Sequence, residues 1–267
     1  MVDAISMYCH IVAMWIRSTV TYRASFLMLT VSQFLVTGLD FVVIWIMFAQ
    51  TDILGGLDLP EVAFLYATSG LALGIADLAI GSIDRIGVRI RDGSFDSFLI
   101  RPVSAFVQAA ADQFALRRLG RITQAGAVFA WSLLALDIDW SWSRIVLAPL
   151  MILSGTLIFC AIFVLGAAFQ FAASDAAEVV NAFTYGGNFL TQYPPTIFAR
   201  DLVRGVTFIV PLAFVNWMPG MYILGHDDPL GLPELVSFAS PVVAVVFALV
   251  AALAWRAALR GYRSTGS

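Results

Sequence analysis

Apolar stretches of about twenty residues, the length needed to cross a bilayer core as helix, alternate along this chain with short segments that hold nearly all of its charge. That alternation leaves few ways to fold. With 60% hydrophobic and 12% charged residues in 267, the chain carries half the charge of a soluble domain, where about 25% is usual, and it reads as a polytopic membrane protein of the all-α class. All 15 cations are arginine, and they fall in clusters between the apolar blocks. Arginine is retained on the cytoplasmic side of membrane proteins, so the clusters orient the spans.

Ile5, Tyr8, Val12, Trp15 and Thr19 recur at helical spacing, opposite Ser6, His10 and Arg17, which predicts an interfacial amphipathic helix over residues 1–23. Asp3 and His10 and the lack of a basic leader argue against a cleavable signal there. Spans are expected at Ala24–Phe48, Glu61–Ser82, Ile122–Leu136, Val146–Phe171, Val179–Leu190 and Leu235–Trp255. The link Gln50–Pro60 and the turn Asp137–Trp142 are acidic and face outward. Residues 83–121 hold seven arginines and face inward. The stretch 191–225 is apolar but broken by Pro211, Asn216 and Pro219; reading it as a re-entrant outer hairpin keeps Arg256, Arg260 and Arg263 inside. Six spans with both termini cytoplasmic then put twelve arginines inward and leave Arg144, Arg200 and Arg204 outward. The whole chain, 1–267, is expected to be one transmembrane domain.

Several chemistries are excluded by residue type. A P-loop needs its lysine, and this chain has none, so any nucleotide hydrolysis must come from another chain. His10 and His226 are the only histidines and fall on opposite faces, which argues against a metal site and a serine–histidine pair. Cys9 and Cys160 have no ligand spacing. No basic tract is interleaved with aromatics, so nucleic acid is not an expected partner.

Polar residues inside or beside spans are the candidates for function. Asp40 and Asp77 sit within the first two spans, where an ionisable group needs a partner or a pathway; Asp77 is placed to pair with an inner arginine. Gln170, Asn181, Asn188 and Gln192 either join helices by hydrogen bonds or, with Asp40, line a translocation path. In the inner segment, Asp84, Arg85, Arg89, Arg91, Asp92, Phe95, Asp96, Phe98 and Arg101 combine charge with two aromatics. That mixture suits either a docking surface for a soluble partner or a loop whose rings rest in the headgroups.

The segment Gly93–Pro102, the early Tyr22-Arg23-Ala24-Ser25-Phe26, and the late Gln192-Tyr193-Pro194, Ile197-Phe198 and Val210-Pro211-Leu212-Ala213-Phe214-Val215-Asn216 resemble permeases of the type-2 ABC exporter class, and more narrowly a six-span bacterial branch of it. The resemblance implies a plasma-membrane permease that binds no cofactor itself, pairs with a second permease chain, identical or related, and docks on a dimer of ATPase subunits that hold ATP and Mg. It also implies a coupling helix between spans two and three, at Asp84–Phe98 or at Ala105–Leu116. The competing class is a secondary carrier or channel with Asp40 and Asp77 as ion-coupling groups.

Overall fold

The computed structural model describes residues 2–228 and 230–263; Met1 of the amino-terminal stretch, Pro229 of the outer loop and residues 264–267 lie outside them. Among the described residues the chain is helical, with no strand. Its helices are α1 (Val2–Thr21), α2 (Arg23–Phe48), α3 (Leu59–Ile80), α4 (Ile86–Arg91), α5 (Asp96–Leu99), α6 (Ala105–Ala111), α7 (Leu119–Ala135), α8 (Trp142–Gln170), α9 (Ala177–Thr191), α10 (Arg200–Phe208), α11 (Trp217–Leu224) and α12 (Ser240–Gly261).

Four helical stretches are long and apolar enough to cross a membrane: Arg23–Phe48, Leu59–Arg91, Trp142–Gln170 and Ser240–Gly261. The pair Arg200–Phe208 and Leu212–Leu224, bent by 79°, would make a fifth if it counted as one span. The expected third and fifth crossings are the shorter helices α7, of 17 residues, and α9, of 15. The last long helix starts at Ser240, five residues later than expected from Leu235, because Glu234–Phe238 forms a 3-10 turn and Pro241 occupies the first turn of α12, where its missing N–H costs nothing.

The helices divide by burial. The window containing α3 is 72% buried within the protein, against 11% for α2 and 17% for α12. The last two therefore present most of their surface to lipid or to another chain, and α3 with α8 forms the centre. Polar side chains tie this centre together. The Tyr66 hydroxyl donates to the Thr37 carbonyl at 2.7 Å and meets Gln124 Oε1 at 3.2 Å, joining α2, α3 and α7. Ser69 reaches Asn188 at 2.9 Å and Thr191 at 2.6 Å, joining α3 to α9. The amino-terminal end of α3 is fixed by a reciprocal capping box: the Glu61 N–H donates to Asp58 Oδ1 and the Asp58 N–H to Glu61 Oε2. Glu61 Oε1 also meets His226 Nε2 at 2.6 Å, which fastens the loop after α11 to this cap.

The bent segment is packed like the core of a soluble domain. Pro211 through Met221 are all buried, and Val215 lies against Gly155 of α8. Asn216 is 0% exposed, and its Nδ2 donates to the carbonyls of Leu65 at 2.8 Å and Thr191 at 2.9 Å. Trp217 Nε1 donates to the Tyr193 carbonyl. The Thr191 and Tyr193 carbonyls, at and just past the end of α9, thereby gain donors where regular helix stops, and the Leu65 bond ties the segment to the body of α3.

Candidate functional site

The arginine-rich segment folds into an elbow rather than a single helix. A 3-10 turn at Gly81–Arg85 continues α3 into α4; the chain then reverses at Gly93, whose φ of +71° suits glycine, and forms the single turn α5. The expected helix over Asp84–Phe98 is therefore broken in three. Its competitor is also shorter than expected: α6 ends at Ala111, and Gln113 follows with φ +49°.

Gln170, at the end of α8, holds the elbow to the core. Its Oε1 accepts the Gly87 N–H at 2.9 Å and its Nε2 donates to the Asp84 carbonyl at 3.0 Å, so one side chain replaces the two hydrogen bonds of a peptide group. Gly87 is needed for this approach, since a Cβ there would run into the Ser174 carbonyl and lie 2.6 Å from Gln170 Oε1. Gln170 is fully buried and committed to this joint.

Phe95 and Phe98 turn inward, 0% and 5% exposed. Phe95 packs edge-on against Phe171 and Tyr262 with ring centroids 5.1 and 5.0 Å apart, and Trp255 closes the cluster against Phe171. Arg89 covers the Phe98 ring at 4.9 Å. These rings thus occupy a pocket of their own chain, neither a headgroup layer nor an outward docking face. The Tyr262 hydroxyl donates to Asp96 Oδ1 at 2.8 Å; burial, with the neighbouring Asp96 carboxylate, pushes the phenol up to about 12. What the elbow offers outward is Asp92, Leu99, Ile100 and Arg101, with Ile100 84% exposed. The apolar anchors of the surface are thus Leu99 and Ile100, beside the two rings singled out in the sequence.

Ion pairs brace the elbow. Arg89 binds Asp112 through Nε at 2.6 Å and through Nη2; Arg91 Nη1 reaches Asp175 at 2.7 Å. Asp77, near the carboxyl end of α3, is held by Arg118 Nε at 3.1 Å and by Arg121 Nη1 at 3.9 Å, two of the arginines expected inward. Asp92 accepts from Ser94, and this bonding holds its carboxyl below the usual carboxylate range.

Two cavities flank these arginines. The larger, about 670 Å³, lies between α1, the start of α2 and the elbow. The smaller, about 350 Å³, is lined by Asp77, Asp84, Arg121, Gln170 and Asn181 among others. Arg85, Val88, Arg117 and Arg118 line both and form the wall between them. Of the expected path residues, Gln170 and Asn181 come together at the smaller cavity. Asn188 and buried Gln192 lie elsewhere, Asn188 bonded to Ser69, and Asp40 is exposed on α2 and lines neither cavity. Of the outer arginines, Arg204 pairs with Asp201 at 3.4 Å, and Arg144 donates to the Asp139 carbonyl and covers the Tyr222 ring.

Among the described residues no group of three or more His, Cys, Asp or Glu is placed to hold a metal ion. No curated protein and no solved structure matches the chain. A family model described as ABC-2 family transporter protein matches residues 34–266, which takes in the elbow and the bent segment; the wall of the larger cavity from Trp15, Thr19, Phe26 and Leu29 lies outside the match. The chain belongs to the ABC-2 transporter permease family and is a membrane subunit of an ABC transporter.

Proposed function

We propose that this chain is the permease of an ATP-driven exporter in a bacterial plasma membrane, working with a second permease chain and a dimer of ATPase subunits that bind ATP and Mg. The observation that carries the reading is the elbow. It stands on the arginine-rich side, turns Leu99, Ile100 and Arg101 outward, and is bound from behind to α8 by Gln170 and to α12 by Tyr262. A soluble partner that pushes on Ile100 pushes on both long helices. In this reading the residues named from sequence divide in function: Arg91, Asp92 and Arg101 meet the partner beside Leu99 and Ile100, whereas Asp84, Arg85, Arg89, Phe95, Asp96 and Phe98 give the elbow its shape. Asn181 and Gln170 flank the inner end of the translocation path, with Asn188 and Gln192 further out and Asp40 at its edge.

Six spans with both termini cytoplasmic accompany this reading. At 1.5 Å per residue α7 and α9 are about 25 and 22 Å long, short of a 30 Å core, but local thinning accommodates such helices at modest cost. Each packs along α3, and α9 also along α8. The bent segment then serves as a re-entrant hairpin on the outer side, and its burial against α3 and α8 supports that role. The exposed faces of α2 and α12 leave room for the second permease chain. An ATP-dependent switch between inward- and outward-open states requires only that the ATPases bind nucleotide better in one of them.

The test is purification of the complex from the native membrane, followed by Ile100→Glu in the same background. The expected result is a co-purifying ATPase that is lost in the variant while the permease stays inserted. Transport by this chain alone in liposomes, with no ATPase recovered, would refute the reading.

A further inference from the structure

We infer that the larger inner cavity is a binding site for an anionic phospholipid, with the phosphate at Arg85 and Arg117 and an acyl chain along Phe26 and Leu29. The cavity has two unlike walls. One is apolar, with Trp15, Phe26 and Leu29 from α1 and α2 and Phe114 from the elbow side. The other carries Arg85, Arg89, Arg117 and Arg118 against only Asp92 and Asp112.

The charges on that second wall are not equally engaged. Arg89 is bound to Asp112, and Arg118 to Asp77 and Ser82. Asp92 is exposed and bonded to Ser94. Arg85 has only a 3.5 Å contact with Gln113 Oε1, and the Arg117 guanidinium has no hydrogen bond or ion pair among the described residues. Two cations thus remain without a close acid partner on the charged wall, across the cleft from the apolar one.

A soluble anion would use the arginines and leave the apolar wall wet, and a neutral lipid would do the reverse. An inner-leaflet lipid with a net negative headgroup satisfies both, and basic pockets between membrane helices on the cytoplasmic side bind such headgroups. About 670 Å³ is room for a headgroup and part of one chain within the usual range of ligand pockets. This inference is independent of the ATPases, because it rests on the cleft and not on the outward face of Leu99 and Ile100.

The test is native mass spectrometry of the full chain, delipidated in detergent and titrated with dioctanoyl phosphatidylglycerol, dioctanoyl phosphatidylcholine and inorganic phosphate. Phosphatidylglycerol should be retained in preference to phosphatidylcholine, with phosphate a poor competitor. Arg85→Gln with Arg117→Gln should weaken phosphatidylglycerol about 30-fold, taking about 1 kcal/mol for each arginine near an anionic headgroup. Arg256→Gln, outside the cleft, should leave it unchanged. If the glutamine pair fails to fold, Arg85→Lys with Arg117→Lys keeps the charge and should keep the preference. Equal retention of the two lipids, unchanged binding in the glutamine variant, loss of the preference in the folded lysine variant, or competition by phosphate at the lipid's own concentration would each overturn the inference.

Discussion

The two irregular regions, the elbow and the bent segment, differ in how much charge holds them. Besides the buried Phe95 cluster and the Gln170 clamp, the elbow and its surroundings carry ion pairs: Arg89 to Asp112, Arg91 to Asp175, and Arg118 with Arg121 to Asp77. The bent segment is held by packing, with Trp217 and Val215 fully buried and Asn216 the chief polar tie. Packed cores do not deform by degrees, whereas an exposed ion pair such as that of Arg91 with Asp175 can be exchanged for water or for another partner at little cost; the buried Asp77 brace cannot. The elbow is thereby adjustable at its exposed rim, and the bent segment is fixed.

Substitutions in each region should separate these two modes. The largest loss belongs to Asp77→Ala, which leaves two arginine side chains, 17% and 21% exposed, without their acid; about 3 kcal/mol of stability should go, read as thermal unfolding in detergent. A second change, Arg118→Gln, should recover part of it, and no recovery would remove Asp77 from the brace. Asn216→Leu should cost about 2 kcal/mol, since two buried hydrogen bonds are lost, and its unfolding should be indifferent to added salt, unlike that of the elbow variants. If salt altered both alike, the contrast between the regions would be lost. Gln170→Leu should cost about 1 kcal/mol, the usual size of such bonds in membrane proteins, while freeing the elbow; amide exchange at residues 84–91 should rise far more than at residues 211–221.

Raising the pH gives a milder probe. The Tyr262 phenol ordinarily titrates near 10 and is held at about 12 here; its contribution to stability is complete below pH 10 and is lost as pH climbs through 12. Tyr262→Phe should flatten that part of the pH profile. The smallest effect is expected from Arg91→Gln, because its pair with Asp175 is 42% and 90% exposed: under about 0.5 kcal/mol, vanishing at high salt.

Much of the frame was legible in the sequence because hydropathy and arginine placement act over whole segments. The helices at Arg23–Phe48, Leu59–Ile80 and Trp142–Gln170 fall within a few residues of the expected spans, and Asp77 finds its inner arginines. The elbow was less legible. Gly93 breaks the expected coupling helix by a single dihedral angle, and the direction of Phe95 depends on Phe171, Tyr262 and Trp255, which arrive from distant parts of the chain. With those rings turned inward, the neighbours Leu99 and Ile100 inherit the exposed face. A Phe-x-x-Phe-Leu-Ile run shows an apolar cluster in sequence, but only packing decides which half of it faces out. Gln170 reads in the sequence as a polar residue beside a span; its pair of hydrogen bonds, from the Gly87 N–H and to the Asp84 carbonyl, joins segments more than eighty positions apart, which no local pattern announces.

That pair of hydrogen bonds makes α8 a lever. Its 29 residues run about 43 Å, and Gly155, where Val215 rests, stands about 22 Å from the clamped end by the same rise. A tilt of about 5° at Gln170 would move the helix by about 2 Å at Gly155, more than a close-packed contact tolerates. Pro149 lies within the same helix six residues beyond that point, where its missing N–H removes one ladder bond and where a bend would be easiest. The stretch from the clamp to the contact with the fixed bent segment holds no proline, so a tilt at one end is carried to the other.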